Sequence, residues 1–198
     1  MTRRISVYKK NIALIVILMF FLFSCRENKK YNDNGVSLKP VIDNVLGDKL
    51  EIPDSLNVYT PFLKYVSDSV QISDSNFKIY TYINASCSTC IEDISKWREI
   101  TDEFVKNGAV VCLIFHSDDN YEFIKYLCES GAIRDFPFPF FFDAKDEYLK
   151  KNSFVKHSKH FETVLTDREN HIILMGNPLL SEDIKKHYIS EIQLRKKL

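Results

Sequence analysis

Phe77-Lys78-Ile79-Tyr80-Thr81-Tyr82-Ile83 runs into Cys87-Ser88-Thr89-Cys90 after only three intervening residues, and this junction decides the fold. The first stretch is aromatic and β-branched, which predicts a strand. After the cysteines, Ile91, Ile94, Trp97, Thr101 and Phe104/Val105 recur at helical spacing until Asn107-Gly108. The two cysteines therefore fall where a strand hands over to a helix. Cys87 is predicted at the helix N-terminus and Cys90 one turn inside it. Unpaired N–H groups and the helix dipole stabilise a thiolate there. One thiol can then attack and its neighbour resolve the mixed disulfide.

Outward from this junction the order of elements is legible. A buried strand is predicted over 109–115, where Ala109 to Phe115 shows no polar alternation. Ser117-Asp118-Asp119-Asn120 supplies cap chemistry for a helix to about Glu129, closed by Gly131. Phe136 to Phe142 predicts a short strand whose prolines demand an edge or a strand start. A short helix follows over Asp143 to Lys151. Phe161 to Thr166 and His171 to Met175 predict a hairpin around Asp167-Arg168-Glu169-Asn170. Ser181-Glu182-Asp183 caps a final helix with Ile184, Tyr188 and Ile192 inward. Upstream, Lys49 to Pro53 predicts a short strand and Tyr59 to Val66 a short helix. Residues 40–75 are expected to pack on the main domain, which spans 76–198.

The N-terminal residues read differently. Arg3, Arg4, Lys9 and Lys10 precede an unbroken apolar run from Ile12 to Phe23. A membrane-spanning helix needs about 20 such residues, so the run suits a signal-peptide core. It ends in Leu22-Phe23-Ser24-Cys25, which resembles the bacterial lipobox. The resemblance implies cleavage before Cys25, lipidation of its thiol, and a signal peptide over 1–24. Residues 25–39 are polar and read as a tether. The expected location is the bacterial cell envelope, membrane-anchored, with the domain in the periplasm, where disulfide chemistry is possible.

Composition excludes some classes. Hydrophobic residues make up 45% with 15 Phe, enough to build a core. Lys+Arg 27 against Asp+Glu 27 leaves no net charge to draw nucleic acid. The chain has five cysteines. Cys112 lies in an apolar run and Cys128 on a helix face with Phe123, Ile124 and Leu127, so both read as core fillers, although a bridge between them stays open. Trp97 at helical spacing also reads as core. Glu92 and Asp93 favour the helix dipole, and Asp118 and Asp119 read as cap residues.

The β-α-β-α…β-β-α order, with Cys-x-x-Cys after the first main strand, resembles the thioredoxin fold. The inserted strand and helix at 136–151 resemble its membrane-anchored TlpA-like branch. This implies a central mixed sheet flanked by helices, with the insert before the C-terminal hairpin. It also implies Cys87 as nucleophile and Cys90 as resolving thiol, the pair serving as the redox group without another cofactor. Three family features are absent. Ser86 stands where an aromatic usually precedes the first cysteine. Thr81 stands six residues before Cys87, where thioredoxins bury an acid. His160-Phe161-Glu162-Thr163 replaces the cis-proline stretch, and a non-proline cis bond costs about 2.5–4 kcal/mol, so a trans bond is expected.

Three functions follow as alternatives. The first is an exported, lipid-anchored, monomeric thiol–disulfide oxidoreductase acting on exported protein thiols or a membrane redox partner. The second is a zinc- or copper-binding lipoprotein using Cys87, Cys90 and His160; against it, Lys156 to His160 reads as a solvated loop. The third is a non-catalytic binding module of the same fold.

Overall fold

The computed structural model describes residues 38–62 and 74–197, with the side chains of Ser88 and Cys90 outside the described set. The proposed signal, the lipobox and Cys25 lie outside the described residues. The unit considered below begins at Pro40.

Among the described residues six strands form one sheet in the order β1-β4-β3-β2-β5-β6. They are β1 (Asn57–Tyr59), β2 (Phe77–Asn84), β3 (Ala109–His116), β4 (Phe140–Phe142), β5 (Thr163–Thr166) and β6 (Ile172–Met175). The central pair β2 and β3 runs parallel from Phe77↔Ala109 to Asn84↔His116. Strand β4 is parallel to β3, and the remaining pairings are antiparallel. The helices are α1 (Lys39–Val45), α2 (Ser88–Lys106), α3 (Glu122–Glu129), α4 (Glu147–Lys151) and α5 (Glu182–Arg195). The expected mixed sheet with an inserted strand and helix is therefore present.

Helix α2 forms because its apolar positions bury one face. Ile94, Trp97, Thr101 and Phe104 are all at most 1% exposed. Asn107 ends it, its side-chain Nδ2 donating to Glu103 O at 2.9 Å, and Gly108 turns the chain at φ +79°. Left-handed backbone costs an L-residue, so glycine suits this stop. The Phe104 ring lies 6.1 Å from that of Tyr188 on α5 and 6.5 Å from Trp97. Full burial of each such ring contributes roughly 1.5–3 kcal/mol. A second aromatic cluster joins Phe115, Tyr121, Phe136, Phe140 and Phe142, with Tyr121 stacked on Phe142 at 4.1 Å.

Several local expectations are corrected. Lys49 to Pro53 is not a strand; only one bridge, Lys49↔His171, forms there. Tyr59 belongs to β1 rather than to a helix, because the segment finds an open edge at β4, while 63–66 lie outside the described residues. Phe136 to Pro139 are not extended into the sheet; proline lacks the N–H a ladder needs, so β4 begins at Phe140. Asp143 precedes α4 instead of joining it. Its buried carboxylate accepts the Glu147 and Tyr148 N–H groups at 3.0 and 2.9 Å. Helix α3 starts later than its cap residues suggest: Tyr121, at φ +66°, occupies the cap position. Asp119 still supplies the chemistry, accepting the Tyr121 and Phe123 N–H groups at 3.0 Å. Strand β5 begins at Thr163, because Lys159–Glu162 is a 3₁₀ turn. On α5, Ser181 occupies the cap position without a side-chain bond, and Ile184 is half-buried while Tyr188 and Ile192 are buried.

Residues 47–59 form a strap. At one end Gly47 N–H donates to Ile172 O, and Ile172 N–H to Asp48 O, outside β6. At the other, β1 pairs with β4 at the far edge of the sheet. Between Lys49 and Asn57 the chain turns once, at Asp54-Ser55, where Leu56 N–H reaches Pro53 O at 3.5 Å. Asn152, itself buried, pins its middle by bonds to Glu51 N (3.1 Å) and Glu51 O (2.8 Å).

Candidate functional site at the head of helix α2

The two cysteines emerge where β2 ends. Cys87 is the N-cap residue of α2, extended at φ −104°, ψ 117°, and its carbonyl accepts the first helical bond from Ile91 N–H at 3.1 Å. Cys90 lies in the first turn of that helix. The half-buried Cys87 Sγ sits 3.1 Å from Thr89 Oγ1. The Cys87 side chain makes no cap bond, and the first N–H groups of the 19-residue helix point toward its end of the helix.

The approach to the helix is fixed from both sides. Ala85 N–H donates to His116 O at 2.8 Å and Cys87 N–H to Asn84 O at 3.2 Å. Ser86 Oγ accepts the Asp118 N–H at 2.8 Å. Ser86, where an aromatic was usual in the resembled family, thus ties the cysteine loop to the loop after β3. Below that tie, His116 presents Nε2 to Asp118 at 3.3 Å and Nδ1 to Asp146, whose Oδ1 has no other partner. His116 is the last residue of β3, and its pairing with Asp146, from the insert, arises only in the tertiary fold.

The position of the missing acid is filled by a hydroxyl pair. Thr81 and Thr163 face each other across β2 and β5 with Oγ1 atoms 2.8 Å apart, both fully buried. Beside them a small recess is lined by Thr81, Tyr82, Asp93, Trp97, Lys159 and Glu162. The Glu162 carboxyl is half-buried, and burial pushes it up to about 7, with Lys159 opposing and Asp93 reinforcing. An acid is thus present near the family's usual site, carried by the loop before β5 instead of by β2. Every described peptide bond is trans, including the Phe161–Glu162 bond.

His160 is half-buried, its N–H bonded to Ser158 Oγ at 3.2 Å. Among the described side chains Cys87 and His160 do not fall together in a group with metal-ligand spacing. The described cluster with ligand spacing is Asp167, Glu169 and His171, on the hairpin turn. Cys112 and Cys128 are buried thiols, and burial pushes each up to about 12, as core fillers require.

No family model matches the chain, and no curated protein matches it in sequence. Solved structures match it in shape. A putative thiol:disulfide interchange protein DsbE from Chlorobium tepidum is similar over 74% of this chain and 97% of its own, at 13% identity and TM-score 0.51. A thioredoxin-like protein in its oxidized form is similar over 73% and 96%, at 13% identity and TM-score 0.51. The thioredoxin domain of a thiol-disulfide oxidoreductase from Bacteroides vulgatus gives 72% and 97%, at 16% identity and TM-score 0.48. The chain has a thioredoxin-like fold. Its similar structures are thiol:disulfide interchange proteins and other thioredoxin-like chains.

Proposed function

We propose that this chain is an exported, lipid-anchored thiol–disulfide oxidoreductase working through Cys87 and Cys90. The observation that carries this reading is Cys87 at the cap of α2, directly beyond the central strand. The name of the structurally similar Chlorobium tepidum protein, a putative thiol:disulfide interchange protein, agrees with it.

The Cys87 thiolate attacks one sulfur of a partner's disulfide. A Cys87–partner S–S bond forms, and the partner's second sulfur leaves as a thiolate. The Cys90 thiolate then attacks Cys87 Sγ, closing the Cys87–Cys90 disulfide and releasing the first partner sulfur. Two electrons pass to the partner, and the reverse sequence oxidises it. Direction follows from the reduction potentials of pair and partner. Helix α2 stabilises the thiolate at Cys87. Glu162, with a carboxyl near neutrality in the recess that Thr81 and Trp97 line, is the group suited to exchange a proton with the pair. Cys25 carries the lipid, and the partners are exported protein thiols or a membrane redox protein.

The test is reduction of insulin by dithiothreitol, with and without the protein. The wild type should accelerate precipitation, and Cys87→Ser or Cys90→Ser should abolish the acceleration. A wild type no faster than dithiothreitol alone would overturn the reading. Cys25→Ala should leave the precursor unprocessed; unchanged mass and membrane fractionation would remove the anchor.

A further inference from the structure

At the opposite end of β2 from the cysteines, a cavity of about 420 Å³ lies between the strap and the sheet. Lys78 and Cys87 are separated along the strand by roughly 20 Å or more. Ile52 and Leu56 of the strap form one wall; Ile114 and Phe141 of the sheet form the other. Lys78, Tyr80, Arg168 and Asn170 supply the polar atoms, and among the described residues no carboxylate lines the space. The volume is within the range of small-molecule sites, and the plan of apolar walls with a few convergent polar groups is theirs too.

Lys78 is the unusual member. It is 3% exposed, in the middle of the sheet. Its ammonium donates to Arg168 O at 2.8 Å and to Asn170 Oδ1 at 2.9 Å. Tyr80 OH donates to the same Asn170 oxygen at 3.0 Å. An ammonium carries three N–H groups, and the third meets no acceptor among the described residues. Both its partners are neutral oxygens. Asp167 and Glu169 sit on the adjoining turn without reaching it, and burial lowers its pKa. A buried cation without a counter-charge is costly. Arg168 stands exposed at the rim, and among the described residues its guanidinium is held by a 3.9 Å pairing with Asp74, also exposed. Such a pair contributes little and yields readily to a better anion.

We propose that this cavity binds a small organic monocarboxylate, with its carboxylate on Lys78 and Arg168 and its hydrocarbon body against Ile52, Leu56, Ile114 and Phe141. The single buried ammonium matches a single negative charge. The guanidinium fork matches the planar oxygens of a carboxylate. The apolar walls select a carboxylate with a chain or ring over formate or acetate.

The probes are octanoate and the uncharged 1-octanol, titrated calorimetrically into the full chain. Octanoate should bind one per chain and raise the unfolding temperature, with octanol at least about tenfold weaker, the discrimination expected when a site's buried polar group goes unmatched. Arg168→Gln should weaken octanoate about tenfold, the scale of one lost charge-assisted contact, and leave the unliganded stability unchanged. Lys78→Met should abolish binding, but it also strips two bonds from the hairpin turn. Leu56→Trp, which fills the cavity from the strap, is the independent variant and should also abolish binding. Cys87→Ser should bind octanoate as the wild type does. Absence of octanoate binding, equal binding of octanol, or unchanged affinity in both Arg168→Gln and Leu56→Trp would overturn the proposal, Lys78 then serving only to pin the turn.

Discussion

Replacing Thr81 by Val tests whether the hydroxyl pair at the missing acid truly closes on itself. The two Oγ1 atoms lie 2.8 Å apart, and both residues are at most 1% exposed. Valine keeps the shape but orphans the Thr163 hydroxyl. A buried unsatisfied hydroxyl costs about 1–3 kcal/mol. The extra methyl returns up to about 0.8 kcal/mol. Thr81→Val should therefore lose about 1–2 kcal/mol, and Thr163→Val a similar amount. The double variant removes both hydroxyls together, exchanging one hydrogen bond for two buried methyls, and should lie near the wild type. The coupling between the sites is then about 2–4 kcal/mol, the two single losses that the double variant recovers, read by urea unfolding of all four proteins. Single losses below about 0.5 kcal/mol, or singles that simply add, would show that each hydroxyl bonds elsewhere and refute the pairing.

Glu162 makes stability fall with rising pH. Its unfolded carboxyl titrates near 4.3 and its folded one near 7. Between those values the folded chain keeps a proton the unfolded chain has released, so this contribution is full below about 4.3 and lost as pH rises through 7. Partial exposure holds it to about 1–2 kcal/mol. Glu162→Gln should flatten unfolding free energy across that window; a slope equal to the wild type's contradicts the assignment. Tyr188→Phe removes a buried hydroxyl that donates to Gly176 O at 2.7 Å and should cost about 1–2 kcal/mol by the same denaturation measurement. Cys112 and Cys128 should resist iodoacetamide in the native protein and react fully in urea; rapid native labelling would move them out of the core.

The junction was legible because two periodicities meet there: Phe77 to Ile83 reads as strand, and Ile91, Ile94, Trp97 and Phe104 read as one helix face. The sequence placed Cys87 on the boundary for that reason. Elements held by distant partners were harder to read. Asn57–Tyr59 becomes a strand because β4 offers it an open edge, which no local pattern in Asn-Val-Tyr announces. Phe136 to Phe142 looked uniformly apolar, yet Pro137 and Pro139 restrict pairing to its last three residues. Thr81 could be named as a missing acid, but its partner Thr163 is set by the β2–β5 register. Lys78 carried a readable signal: a lone charge inside an otherwise buried strand. Its contacts with Arg168 and Asn170 required the hairpin to be folded.

The strap also constrains the order in which the molecule can be assembled. It lies early in the chain, yet one end rests on β6 and the other on β4, and Glu51 meets Asn152 across 101 residues. A chain emerging N-terminus first cannot seat this segment until its last hairpin has arrived. Contacts so distant in sequence close late, after the loop entropy between them has been overcome. The strap is therefore the final bolt of the fold, and the cavity behind it exists only once synthesis is nearly complete.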